Sequence, residues 1–310
     1  MKVIFLGTPE FSVEVFKGIL NSNHQIVAVV CQMDKPCGRG NKLTPPPLKV
    51  EALKNNIPVY QFQKIRVDGV QTLKELNADI MVTAAYGQIL SQEIIDICKY
   101  GIINVHGSLL PKYRGASPIQ QSIIDGEEKT GITIMQTEAG IDTGDILIAK
   151  ECEIAKEDTY GTLSEKLSKV GAKLIVEALD LIQQNKIVPV KQDDALATHT
   201  KMFKKEDTII NFNKSANQIT NLVRGLNPNP VALMYLNGES YKIFQTKPIE
   251  YVGSEQNGTV LVANSKQGLI IKCEGGAIEV VEMTAPNSKR MLAKSYLNGK
   301  SIQIGSVCNG

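Results

Sequence analysis

The chain has 310 residues, 43% of them hydrophobic and 21% charged, with 34 Lys/Arg against 32 Asp/Glu. This globular composition and its net charge of +2 exclude a polycation or an acidic disordered chain, and no apolar run reaches the ~20 residues of a membrane helix. Six scattered cysteines without a C-x-x-C pair, and only three histidines, exclude a Cys/His metal cluster. The apolar stretch from Met1 to Leu6 is too short for a signal segment, so the expectation is a cytoplasmic protein without a metal or a membrane anchor.

Lys2 to Leu6 reads as a first strand, broken at Gly7-Thr8-Pro9-Glu10. Phe11, Val15 and Ile19, with Phe16 and Leu20, then recur at helical spacing. Ile26 to Cys31 reads as a buried strand. Residues 35–49 hold Lys35, Arg39, Lys42 and Lys49 with no acidic residue, and Gly38, Gly40 and Pro45-Pro46-Pro47 exclude a regular helix or central strand. This segment is expected to be a long basic surface loop, followed by a helix from Leu48 to Lys54. Val59-Tyr60 is a short strand, and Val70, Leu73 and Leu76 mark a helix. Ile80 to Ala85 is a strand, Ile89 to Ile97 a helix and Ile102 to Val105 a strand. Such alternation argues for an α/β fold with a doubly wound, mostly parallel, Rossmann-like sheet.

Thr130 to Met135 and Ile146 to Ile154 continue the strands, and Leu163, Leu167, Val170, Leu174, Ala178 and Leu181 form a long amphipathic helix. Periodicity is lost from Ile187 to Lys205. A helix from Ala216 to Leu222 follows. Short strands then lie between the turn signals Asn237-Gly238, Asn257-Gly258, Gln267-Gly268 and Gly275-Gly276, and a helix spans Arg290 to Leu297. The expected organisation is a catalytic domain at 1–189, a linker at 190–204 and a smaller β-barrel domain at 205–310. Residues 1–190 carry 20 Lys/Arg against 22 Asp/Glu, and residues 191–310 carry 14 against 10. That weak C-terminal basicity suits a polyanionic partner, or is ordinary variation.

In open α/β sheets, ligands bind beyond the carboxyl ends of the strands. Asn104 and His106 end one such strand, and alternation puts them on one side of it. Gly140-Ile141-Asp142-Thr143-Gly144-Asp145 sets carboxylates in a glycine-rich turn. Asn, His and Asp together suit acyl transfer, the amide donating to an oxyanion while His and Asp manage protons. A strand-end His is more often a structural hydrogen-bonding residue than a catalyst, and Asp in such a turn is usually turn chemistry, so the residues alone leave both readings open. Ser108 lacks a G-x-S-x-G context and Gly7-Thr8-Pro9 lacks G-x-G-x-x-G, which excludes a nucleophile elbow and a dinucleotide fingerprint. His24 and His199, in polar stretches, are expected on the surface.

The run from Asn104 to Gly115 (NVHGSLLPKYRG) resembles the signature of folate-dependent formyltransferases, and Gly140 to Asp145 (GIDTGD) resembles that family's second signature. Within the family, Phe5 to Phe11, Asp34 through Lys49, Ala85 to Leu90, Lys205-Glu206-Asp207, Asn227-Pro228 and Lys289-Arg290-Met291 are similar to the branch acting on charged initiator tRNA. The resemblance implies transfer of a formyl group from 10-formyltetrahydrofolate, as co-substrate, to the methionine amine of initiator Met-tRNA; separately, a monomer is expected. The resemblance also implies Asn104, His106 and Asp142 as catalytic residues. Ser108, Leu109, Leu110 and Pro111 would bind folate, with Tyr86, Gly87, Gln88, Ile89 and Leu90 lining the pterin pocket. Lys35, Arg39, Gly40, Lys42, Lys49, Lys289 and Arg290 would meet tRNA, and the C-terminal barrel would be OB-like. Where that branch carries Trp, this chain has Asn229 and Phe212. The competing expectations are a relative acting on a nucleotide-sugar or ribotide amine, and an inactive folate- or RNA-binding homologue.

Overall fold

The computed structural model describes residues 1–37 and 40–309. Two compact units emerge. One comprises Met1–Pro118, Lys129–Glu153 and Ser164–Thr200; the other comprises Ile119–Glu128, Ile154–Leu163 and Lys201–Gly310.

The first unit is built on a seven-stranded sheet. Its order is Ile146–Glu153, Lys129–Gln136, Ile102–His106, Ile80–Ala84, Lys2–Gly7, Gln25–Cys31 and Val59–Gln61. The last five run parallel, and the first two are antiparallel to their neighbours. Val3 to Leu6, Ala28 to Cys31 and Ile80 to Val82 are buried without alternation, as strands covered on both faces require. Strand Lys2–Gly7 has the next strand in sequence on one side and Ile80–Ala84 on the other. Strand order therefore reverses there, and a crevice is expected beyond Gly7 and Ala84.

Helix Glu10–Leu20 buries Val13, Val15, Phe16 and Ile19, and Phe16 meets Phe5 edge to face at 5.8 Å. Helix Tyr160–Gln183 also packs on the sheet. A Cβ at Gly171 would stand 3.0 Å from Val105 Cγ1, so glycine permits the close approach behind the His106 strand.

Several local expectations change. The helix expected over Ile89 to Ile97 shrinks to Gln92–Ile95, because residues 86–91 form a loop. Residues 35–49 are not one irregular loop. Lys35–Cys37 and Lys42–Thr44 pair as a small hairpin, where Pro36 is tolerated because the sheet has only two strands. Helix Pro47–Lys54 follows, with a proline at its first position. The aperiodic connector is not free chain either. Val190 bridges Ile146, Asp194–Leu196 is a 3-10 turn, and His199–Thr200 pairs in parallel with Arg114–Gly115. His24 is buried, held between the N-terminal amine at 3.3 Å and Asp180 at 3.1 Å. Its polar neighbours in sequence gave no sign of these distant partners.

The second unit is a curled antiparallel sheet ordered Val260–Asn264, Gly268–Cys273, Gly276–Thr284, Glu239–Ile249, Ala232–Leu236 and Cys308–Asn309. Cys308 pairs with Leu236 and Val307 bridges Thr259, so the last segment links the two ends of the curl. Helix Ala216–Leu226 sits over its core, contributing Ile219, Val223 and Leu226 to a cluster with Phe212, Met234, Ile243, Ile271 and Val280. Ser215 and Gln218 form a reciprocal capping box that starts this helix. At its other end Arg224 donates to the carbonyls of Ala155 and Asp158, each at 3.2 Å. The expected terminal helix is only Ala293–Tyr296, since Met291–Leu292 pairs with Glu282 and Met283 instead.

Candidate active site

Asn104 and His106 project from the end of strand Ile102–His106, and Asp142 comes to them from the turn after strand Lys129–Gln136. The Asp142 backbone is left-handed at φ +51°, a conformation that Asp tolerates better than most residues. One carboxylate oxygen, Oδ1, faces the Asn104 amide nitrogen at 3.5 Å. The other, Oδ2, lies 3.6 Å from His106 Nδ1 and accepts the Gly115 N–H at 2.8 Å. His106 is 5% exposed. Its Nε2 is 3.0 Å from the Tyr113 carbonyl, which can only accept, so Nε2 carries a hydrogen and donates it. In the neutral ring Nδ1 is then the bare nitrogen, and it faces a carboxylate.

The Asn104 amide is oriented in turn. Thr83 is its register partner on the adjacent strand, and the Thr83 hydroxyl donates to Asn104 Oδ1 at 2.8 Å. That bond turns the NH2 group toward Asp142. Sequence reasoning missed Thr83, whose signal was one polar residue in the buried run Ile80–Ala84. It also passed over Arg114 and Gln192. Arg114 lies inside the first motif and is 3% exposed, with Nε on Gln192 Oε1 at 3.0 Å and Nη2 on Asp194 Oδ1 at 2.8 Å. Gln192, in the aperiodic connector, gave no signal.

The stretch from Ser108 to Pro111 folds against the same strands. Ser108 is fully buried and its hydroxyl donates to the Lys112 carbonyl at 2.7 Å. Thr133 donates to the Ser108 carbonyl at 2.7 Å and accepts the Leu110 N–H at 3.1 Å. Leu110 is buried, and Leu109 and Pro111 are half-buried.

Residues 86–90 follow strand Ile80–Ala84, at the reversal of strand order. Thr8 and Gln32 both donate to the Tyr86 carbonyl at 3.1 Å, and Gln88 is clamped between the Phe62 carbonyl at 3.0 Å and the Ile65 N–H at 2.9 Å. These bonds fix the loop while leaving its edge open. Among the described residues, no backbone hydrogen bond engages Gly87, Gln88, Ile89 or Leu90. Ile89 is 77% exposed, and the buried Tyr86 hydroxyl, its pKa pushed up by desolvation, has no partner among the described residues. An apolar lip with unused backbone donors and acceptors fits a flat, polar-edged ring such as a pterin.

The basic residues divide. Lys35 and Lys42 are exposed on the hairpin, and Gly40 sits at φ +98°. Arg39 lies outside the described residues. Lys49 is not free: Nζ contacts both Asp34 oxygens at 2.9 Å and Gln61 Oε1 at 2.8 Å, and this pairing holds the Asp34 carboxyl below its ordinary range. In the second unit Lys289 is exposed, while Arg290 forks onto both Glu282 oxygens at 2.8 and 2.6 Å and covers the Phe244 ring at 4.1 Å. Among the described residues no acidic, His and Cys group has metal-holding geometry, and no helix is long and apolar enough to cross a membrane.

Comparison with known proteins extends the picture. The family model described as formyl transferase matches residues 1–179, and the formyl transferase C-terminal domain model matches residues 202–301. A methionyl-tRNA formyltransferase of Acetivibrio thermocellus is 42% identical, with 99% of each chain covered. That of Ruminiclostridium cellulolyticum is 41% identical over 98% of each. Among solved structures, WlaRD, a sugar 3N-formyl transferase solved with dTDP and 5-N-formyl-THF, aligns at TM-score 0.67 and 23% identity, covering 93% of this chain and 99% of that one. HypX of Aquifex aeolicus, in complex with tetrahydrofolic acid, aligns at TM-score 0.64 and 14% identity, covering 96% of this chain and 47% of its own. At these identities the structural likeness is one of fold.

Proposed function

Because the chain belongs to the methionyl-tRNA formyltransferase family, and so formylates the methionine of Met-tRNA in a folate-dependent reaction, we propose that Asn104, His106 and Asp142 perform the transfer. The donor in this reading is 10-formyltetrahydrofolate and the acceptor is initiator Met-tRNA. When bound, the folate supplies an amide-like formyl carbon whose bond to N10 must break. The attacking α-amino group has an ordinary pKa near ~8, so a useful neutral fraction exists at neutral pH. The site therefore has to position groups and stabilise charge more than it has to supply a strong base.

Asn104 is the donor to the formyl oxygen as negative charge develops there. Its Oδ1 is occupied by Thr83 and one NH2 hydrogen faces Asp142, which leaves the second NH2 hydrogen for the substrate. His106 and Asp142 act as one proton-holding unit. Nε2 is committed to the Tyr113 carbonyl, so exchange runs through Nδ1 and Asp142 Oδ2, 3.6 Å apart. This pair takes the proton released by the amine and returns one to folate N10. Ser108 to Pro111 and Tyr86 to Leu90 hold the folate, the second stretch through backbone groups.

Lys35, Arg39, Gly40, Lys42, Lys289 and Arg290 meet the tRNA in this reading, and Lys49 supports the hairpin base through Asp34. Residues 1–189 carry catalysis, 190–204 the connection and 205–310 further tRNA contacts. The protein works as a monomer in the cytoplasm, where charged tRNA is its acceptor.

One observation carries the mechanism: a single carboxylate, Asp142, faces the Asn104 amide on one oxygen and the His106 ring on the other. His106→Ala and Asp142→Ala should each lower kcat by at least about 100-fold with little change in tRNA affinity. Near-normal turnover in either variant contradicts it.

A further inference from the structure

We propose that Gln192 is a positioning residue for formyl transfer, whose side-chain amide holds the turn that carries Asp142 and so aims that carboxylate at His106. The inference rests on the reading of Asp142 as catalytic.

The Gln192 Nε2 group spends both hydrogens on this turn, donating to the Asp142 carbonyl at 2.8 Å and the Gly144 carbonyl at 2.7 Å. These two carbonyls flank the Asp142–Gly144 segment, which starts from a left-handed residue. The amide cannot flip without loss. Its Oε1 accepts from Arg114 Nε at 3.0 Å, and a guanidinium offers only donors, so the oxygen must face Arg114 and the NH2 must face the turn. Arg114 is itself buried and anchored on Asp194. With Gln192 only 6% exposed, water has little access to replace these bonds.

The same connector reaches the other half of the proton-holding pair. Thr198 Oγ1 accepts the Tyr113 N–H at 2.8 Å, the Thr198 carbonyl accepts the Arg114 N–H at 2.8 Å, and the Tyr113 carbonyl receives His106 Nε2. Gly115, next to Arg114, donates to Asp142 Oδ2 and packs so closely on the Thr200 carbonyl that a Cβ would collide with it. Residues 192–200 thus brace both Asp142 and the acceptor of the His106 hydrogen. A connector that only joined two domains would need none of these contacts.

The test is steady-state formylation of Met-tRNA by the full chain carrying Gln192→Met, Gln192→Glu, Asp142→Asn and the Gln192→Met/Asp142→Asn pair. Gln192→Met removes the donors at similar volume; Gln192→Glu keeps the acceptor for Arg114 but sets a carboxylate against two carbonyls. Both should lower kcat about 10- to 100-fold with folate and tRNA KM changed less than about twofold, because misaim of the reacting groups by a fraction of an ångström acts on turnover. In the Asp142→Asn background the Gln192→Met loss should shrink below about threefold, since the two residues act as one unit. A Gln192 variant with kcat within about threefold of the parent, or a loss undiminished in the Asp142→Asn background, overturns the inference. Normal turnover by Asp142→Asn overturns the reading of Asp142 itself, which distinguishes the two failures.

Discussion

Oδ2 of Asp142 lies 3.6 Å from Nδ1 of His106 while the opposite ring nitrogen is bound to the Tyr113 carbonyl at 3.0 Å. The second distance gives the first its meaning. With Nε2–H committed, protonation of the ring can occur only at the nitrogen that faces the carboxylate. In the proposed reading, Asp142 is the carboxylate that meets the ring at that nitrogen.

Asn104→Ala should lower kcat by about 100- to 1000-fold, the usual scale for losing one oxyanion donor. Thr83→Val keeps the shape of the neighbouring side chain but frees the Asn104 amide to rotate. Its kcat loss should be smaller, about fivefold, equivalent to a hydrogen bond of ~1 kcal/mol. Steady-state kinetics on both variants checks the order. A Thr83→Val enzyme as impaired as Asn104→Ala would mean that Thr83 does more than orient the amide.

The hairpin lysines and Lys49 should separate by salt dependence. Lys42→Ala and Arg39→Ala should raise the tRNA KM and flatten its salt dependence by about one counterion each, without weakening folate binding. Lys49 is already paired with Asp34, so Lys49→Ala should leave the salt slope unchanged and act through the hairpin base. Titrating KM against salt concentration reads this directly, and an unchanged slope for Lys42→Ala and Arg39→Ala would remove both residues from the tRNA contacts.

His24 gives a pH dependence of stability. Burial, reinforced by the adjacent N-terminal amine and opposed by Asp180, lowers its pKa below the ordinary 6.5. The unfolded chain therefore binds the proton more readily, and stability falls as pH drops from about 6.5 toward the lowered folded value. His24→Gln should flatten that part of the curve. Thermal unfolding midpoints of parent and variant between about pH 7.5 and 5.5 should converge at the acid end; parallel curves would contradict the assignment.

Buried thiols should resist modification. Desolvation raises Cys31 and Cys98 to about 11 and Cys308 to about 12, so little thiolate is present at neutral pH. Cys152 is half-exposed and should react well ahead of these three with an aromatic disulfide reagent. Rapid labelling of Cys31 in the native protein would show that its strand opens readily.

Much of the first unit can be read from sequence because its information is local. The apolar runs of Val3 to Leu6 and Ile80 to Val82 define buried strands, and alternation along Ile102–His106 puts Asn104 and His106 on one side. What escapes is long-range. Gln192 and Asp142 are 50 residues apart, and Arg114 and Asp194 are 80 apart. No periodicity marks such pairs, so a polar connector and a buried network look alike in one dimension. The burial of His24 is hidden for the same reason, because Asp180 lies 156 residues away. Arg290 was expected in a helix, but pairing of Met291 and Leu292 with the neighbouring strand outweighs local helical spacing.

The most direct measurement is formyl transfer from 10-formyltetrahydrofolate to Met-charged initiator tRNA, run beside uncharged tRNA and free methionine. Formylated methionine should form on the charged tRNA alone. Product on free methionine at a comparable rate, or no product on charged tRNA while folate still binds, would contradict the account.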